Sequence, residues 1–205
     1  MKTINKILGR LGFGNRKRED YSQRRFILDA LPKDSVGAEI GVHEGEFSML
    51  LLKRVHPLRL HLIDPWEYRT EAAYSESFYG GILGVDQHAM DLRYSTVLKR
   101  LSGYIRDKHV IVHRQRSSVI QETFPQGYFD WIYVDGDHLY DQVRQDLAGY
   151  GNCVKPLGWI AGGGFRSDAW WGNGVVRAVE EFLETTPHSE FIAKGDQYLI
   201  RVDQG

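Results

Sequence analysis

One cysteine, Cys153, stands in a chain of 205 residues. An internal disulfide framework and a thiolate zinc centre are thereby excluded, and Cys153 reads as a small buried side chain. No run of 18 apolar residues occurs, so no segment can span a membrane as a helix. The opening residues lack the apolar core of a secretion signal, and a reducing cytoplasm is the expected compartment. Neither sign of charge dominates: 26 Lys and Arg against 27 Asp and Glu leave a net charge of −1. That excludes binding to nucleic acid through overall charge. Also missing is the G-x-G-x-x-G element that a dinucleotide site needs. No internal repeat and no low-complexity tract is present. What is there, 42% hydrophobic and 26% charged residues, is the balance of one soluble globular domain with enough chain for a real core.

Charge is uneven at one place. Residues 1–25 carry Lys2, Lys6, Arg10, Arg16, Lys17, Arg18, Arg24 and Arg25 against Glu19 and Asp20. Ile4, Ile7, Leu8 and Leu11 fall on one helical face, the pattern of a short basic helix in weak contact with an anionic membrane surface. The same composition suits a solvated leader ended by a Gly12-Phe13-Gly14-Asn15 turn, and three turns of apolar face are few for a stable helix. The expected division is a basic leader at 1–20 and one domain at 21–205.

From Tyr21 the pattern alternates. Helices are expected near 22–31, 46–55, 87–101, 118–124, 139–150 and 175–183. Strands are expected at 36–40, 60–63, 110–113, 129–134, 158–161, 191–193 and 197–202. Apolar strands alternating with helices give an α/β fold with a mostly parallel sheet covered on both faces. The last two strands are joined only by Lys194-Gly195-Asp196, a hairpin turn, so one strand should run antiparallel.

Ligands of such sheets bind beyond the carboxyl ends of the strands. Strand one ends in "EIGVHEGEFS", where Glu39 precedes Gly41 and Gly45. Gly41 permits a tight turn, and Gly45 would let the helix start lie near a ligand. A carboxylate at this turn repels phosphate and suits an amino group; a purely structural glycine turn is the alternative. Strand two ends in "LHLIDPW". Asp64 is placed to accept from ribose hydroxyls, and Trp66 to stack on a base; a helix cap is the other role open to Asp64. The strand "WIYV" delivers Asp135, Asp137 and His138 into one turn, with Asp141 opening the next helix. Asp137 and Asp141 suit capping, whereas Asp135 and His138 suit chemistry.

Together "EIGVHEGEFS", "LIDPWEY", "FDWIYVDGDHLYDQVRQDL" and "VKPLGWIAG" resemble the class I S-adenosylmethionine-dependent methyltransferases, over residues 20–202. More narrowly they resemble the small O-methyltransferases of the macrocin-type sugar and catechol-type groups. The resemblance implies a Rossmann-like seven-stranded sheet of order 3-2-1-4-5-7-6, and S-adenosyl-L-methionine as cofactor. It places Glu39, Gly41 and Gly45 around the methionine part, Asp64 on the ribose, Arg116 and Ser117 near the adenine, and Asp135 near the sulfonium. His138 falls at the position of the catalytic base.

Metal-using relatives carry two carboxylates, or Asp-Asn, where this chain has Gly163 and Gly164. The glycines read as a vacated metal site, so a divalent metal is not expected. Asp168 is the nearest replacement, at the wrong spacing. Without a metal, His138 is the natural base, oriented by Asp135 or Asp137. Trp66, Tyr68, Tyr74, Phe78, Tyr79, Trp170 and Trp171 suggest an aromatic lid and floor for a small-molecule acceptor, a sugar or a phenol. Asp64→Ala is expected to weaken cofactor affinity at least ~10-fold with the fold intact. Competing readings are an inactive cofactor-binding relative, an iron-dependent hydroxylase of the same group, and an NAD-binding domain.

Overall fold

The structure, a computed structural model, describes residues 22–203. The leader at 1–20, with its membrane-surface reading, lies outside the described residues. The described residues begin with α1 (Arg25–Ala30), β1 (Val36–Ile40), α2 (Glu46–Arg54) and β2 (Arg59–Ile63). A long connection holds a 3-10 turn (Ala72–Tyr74) and the single-turn α3 (Gly81–Gly84). It leads to α4 (Gln87–Arg100), α5 (Ser102–Arg106) and β3 (Val110–His113). After α6 (Ser117–Ile120) and a 3-10 turn (Gln121–Thr123) come β4 (Phe129–Val134) and α7 (Tyr140–Gly151). The chain closes with β5 (Val154–Gly162), α8 (Gly174–Thr185), β6 (His188–Lys194) and β7 (Gln197–Val202).

The seven strands lie in the order β3-β2-β1-β4-β5-β7-β6, as the family resemblance implied. Pairings among the first five strands are parallel, and β7 is antiparallel to both neighbours. Lys194 pairs with Gln197 across a two-residue turn, with Gly195 at φ 62°. Successive side chains go to opposite faces. Ala38, Ile40, Ile132, Val134, Ile160 and Ile200 enter one core with α7 and α8, while Leu60, Leu62, Trp131, Tyr133, Ala161 and Leu199 enter another with α1, α2 and α4.

Several elements differ from expectation, among them α5, where no separate helix was expected. The turn α3 is four residues with two glycines, too short to show a helical period. The strand β5 starts at Val154 rather than 158. Its first residues include Pro156, admitted where the register with β4 shifts between Phe129 and Trp131. The strand β6 begins at His188, on exposed polar residues that suit a sheet edge.

Parallel strands carry their carboxyl ends to one edge of the sheet. There Gly41, at φ 88°, crosses the turn after β4 so closely that a side chain would strike the Asp135 carbonyl and Gly136. Glycine is therefore required for contact between two backbones, which seats the β1 and β4 turns against each other.

Candidate active site

A cavity of about 310 Å³ opens at that edge. Gly41 follows β1, Asp64 follows β2, Arg116 and Ser117 follow β3, and Asp137 follows β4; all line it. Tyr74, Tyr79 and Trp170 close it from the loops.

Asp64 is 1% exposed. Its Oδ2 accepts from the Val42 amide at 2.8 Å, the His43 amide at 3.1 Å and the Tyr79 hydroxyl at 2.5 Å. Its Oδ1 accepts from the Trp66 amide at 2.7 Å. Burial pushes this carboxyl up, and the Tyr79 hydroxyl and the amides oppose the rise. Asp64 thus does two things: it ties the β1 turn to the β2 turn, and it faces the cavity.

Trp66 does not fit the stacking role. It is 0% exposed, its indole N–H bonds the His43 carbonyl at 2.8 Å, and its ring packs 4.9 Å from Tyr94. Residue 66 turns inward because its amide is held on Asp64, and its apolar bulk stabilises the core instead. Gly45 also serves backbone and packing: it holds φ 73° at the start of α2, and a side chain there would meet Val97 at 3.4 Å. Glu39 is buried and accepts from the Ser48 hydroxyl. Burial raises its pKa to about 8, against the Ser48 bond and the Arg24 charge.

Arg116 and Ser117 both reach the cavity, and the Arg116 guanidinium is clamped by two bonds of 2.9 Å to Glu67. Asp137 does not cap α7, whose N-cap is Leu139 with no side-chain cap bond; it accepts from the Leu139 amide at 2.9 Å within the turn, and also from the Tyr74 hydroxyl. Asp135 and His138 lie beside the cavity. Asp135 pairs with Arg24 at 3.0 Å and with His138 Nε2 at 3.3 Å. Burial works to raise its pKa, but Arg24 and His138 outweigh it and hold the carboxyl low. The His138 ring packs 4.3 Å from Trp171, and a side chain on Gly164 would lie 3.1 Å from it.

That contact revises the reading of the glycine triplet. The room that side chains at 163 and 164 would need is filled: one at Gly163 would enter the Asp135 carboxylate, and Gly164 holds φ 76°. Asp168 offers no substitute, being exposed and bound to Arg166 at 2.6 and 2.8 Å. Among the described residues no three His, Cys, Asp or Glu side chains converge on a metal-sized space. The donor set does not fit a divalent metal. The aromatic lid divides as well: Tyr74, Tyr79 and Trp170 line the cavity, Phe78 is exposed, and Trp66 is core.

Two participants escaped the sequence reading. Arg24 belongs to a basic stretch that reads as solvated, yet it sits over the Phe47 ring at 4.7 Å and against Asp135. Asp146 had a signal: it shares the inward period of Val143, Leu147 and Tyr150, where an acid is out of place.

This sheet order and this edge define the class I S-adenosylmethionine-dependent methyltransferase architecture. The sequence profile of the methyltransferase domain family matches residues 38–163, and the chain belongs to that family. Among curated proteins none matches the chain. Among solved structures, the N-methyltransferase NodS from Bradyrhizobium japonicum WM9 is similar at a TM-score of 0.61 and 16% identity, covering 92% of this chain and 97% of that one. NodS in complex with S-adenosyl-L-homocysteine matches at 0.61 and 18%, over 91% and 86%. A candidate caffeoyl-CoA O-methyltransferase from Staphylococcus aureus matches at 0.56 and 14%, over 97% and 91%.

Proposed function

We propose that the chain transfers a methyl group from S-adenosylmethionine to a hydroxyl oxygen of a sugar or small aromatic acceptor, without a divalent metal. The charge of the cavity supports the donor. Asp64, Glu67, Asp137 and Asp146 face it against Arg69 and Arg116. That excess of carboxylates suits a ligand carrying both a sulfonium and an ammonium. Asp64 would hold the ribose and Glu39 the ammonium, which would draw the buried carboxyl into its ionised form.

The observation that carries the mechanism is the His138–Asp135 contact beside Trp171. With Nε2 donating to Asp135, Nδ1 is left as the proton acceptor. When bound, S-adenosylmethionine would supply the methyl group, its carbon–sulfur bond breaking with the electron pair left on sulfur as the acceptor oxygen attacks in line, and His138 Nδ1 would take the hydroxyl proton. Arg24 keeps Asp135 ionised and hence able to support the imidazolium. Tyr74 and Trp170 supply flat faces for a ring-shaped acceptor.

The test is methyl transfer from labelled S-adenosylmethionine to nucleotide sugars and phenols, with an amine series as control, in the presence of EDTA. Activity should survive chelation, and His138→Ala should lower the rate by about 10²–10⁴-fold with cofactor affinity nearly unchanged. Loss with EDTA and recovery with magnesium would overturn the metal-free mechanism. Absence of S-adenosylhomocysteine binding would overturn the whole reading.

A further inference from the structure

The sheet ends at β6, and among the described residues no strand lies beyond it. All of β6 except Ile192 is exposed. An open edge of this kind is a template for a further strand.

The hairpin fixes which backbone groups face outward. Lys194 pairs with Gln197 across the two-residue turn, and Ile192 pairs with Leu199. In such a hairpin the residues flanking the turn exchange both backbone bonds, and bonded pairs recur at every second residue. Lys194 and Ile192 therefore direct their N–H and C=O groups to β7. Phe191 and Ala193 direct theirs away from the sheet. Two charges flank these residues. Among the described residues neither Glu190 nor Lys194 makes an ion pair: Arg201, opposite Glu190 on β7, lies over the Trp159 ring at 5.4 Å, and the Lys194 ammonium lies 5.2 Å from the Phe26 ring. Single charges on an edge ordinarily repel other edges. Here one of each sign stands at equal distance on either side of Ile192.

We propose that β6 pairs with β6 of a second copy of this chain, antiparallel about a twofold axis at Ile192, joining two seven-stranded sheets into one. Such a contact is self-complementary, as a twofold interface must be. In this register Phe191 of each copy meets Ala193 of the other, and these outward residues exchange backbone bonds. The Phe191 ring lies beside a small side chain. Glu190 of each copy meets Lys194 of the other at the non-bonded sites, where side chains approach most closely. The neighbouring registers that keep the same groups bonded set Glu190 against Ile192 or against Asp196. Charge thus selects the one register in which both pairs form. A five-residue seam is short, which places the association in the weak, reversible class.

Sedimentation equilibrium of the full chain, from micromolar to about millimolar protein, tests this. The wild type should show a monomer–dimer exchange that weakens as salt rises. Glu190→Lys or Lys194→Glu alone turns both charge pairs repulsive and should weaken association about tenfold or more. The double variant, with the charges exchanged, restores both pairs and should return to within about threefold of wild type. Ala193→Pro removes an outward N–H that the monomer does not use, so it should lose the dimer and melt close to wild type. A wild type that stays monomeric throughout would overturn the proposal, and dimers that appear only on removal of residues 1–20 would assign the edge to the leader instead. A dimer that survives in Ala193→Pro, or one that the charge exchange fails to restore, would place the contact elsewhere and overturn it as well.

Discussion

Replacing Asp64 by alanine should unfold the protein earlier as well as empty its site, contrary to the expectation of an intact fold. The carboxylate takes four donors: the Val42, His43 and Trp66 amides and the Tyr79 hydroxyl. Alanine leaves all four without that acceptor at a position 1% exposed. At about 1 kcal/mol for each lost bond, the sum is about 4 kcal/mol, a large share of the ~5–15 kcal/mol that holds a typical domain. For a chain of this size 1 kcal/mol moves the midpoint by roughly 2–4 °C, so the ligand-free variant should melt about 8–16 °C below wild type. Tyr79→Phe removes one donor and should cost about a quarter of that. Calorimetric melts of the three proteins give the comparison, and S-adenosylhomocysteine gives the second readout. At a concentration of 100 Kd it should stabilise the wild type by about 2.7 kcal/mol and the Asp64→Ala variant hardly at all. If the alanine variant melted with Tyr79→Phe, the four bonds would not carry the weight assigned to them.

Tyr79→Phe should also tighten S-adenosylhomocysteine binding several-fold, because the tyrosine hydroxyl occupies the Asp64 oxygen that a ligand hydroxyl would use; weaker binding would mean that Tyr79 holds the ligand. Glu39, raised from 4.5 to about 8, gives stability that is full below pH 4.5 and is lost as pH rises through 8, by up to ~5 kcal/mol; urea midpoints of Glu39→Gln should lack most of that decline. His61 behaves oppositely. Burial and the neighbouring His113 lower its pKa from 6.5 to about 4, so its contribution is full above pH 6.5 and falls by about 3 kcal/mol as pH drops to 4, and His61→Gln should flatten the acid limb of the same curve. Gly163→Asp should lower the melting temperature and gain no magnesium affinity by calorimetry, since its side chain would enter the space of Asp135.

The sheet was readable because its information is local. Apolar β-branched runs and their spacing mark strands, and Gly195-Asp196 marks the hairpin. The order of the strands came from family resemblance, which periodicity alone does not supply. The residues at strand ends were partly legible by position: Asp64, Arg116 and Ser117 do reach one cavity, whereas at the end of β4 it is Asp137, read as a cap, and not Asp135 or His138 that lines it. Side-chain direction was not legible. Trp66 follows Asp64 by two residues and could have faced either way until the Asp64 bond to its amide turned it into the core. The glycine pair was read by what it lacks, whereas its surroundings, His138 and Asp135 pressed against it, come from another turn and are visible only in three dimensions.

The hydroxyl of Tyr79 on Asp64 has a consequence for anyone choosing compounds against this cavity. A search shaped to the empty space would favour molecules that stop short of Asp64, because the tyrosine fills the approach. Diols and sugars able to compete for that carboxylate would rank poorly, although they are the ligands proposed above for it. The useful template is the cavity with the Tyr79 side chain swung aside, and fragments bearing vicinal hydroxyls are the place to start.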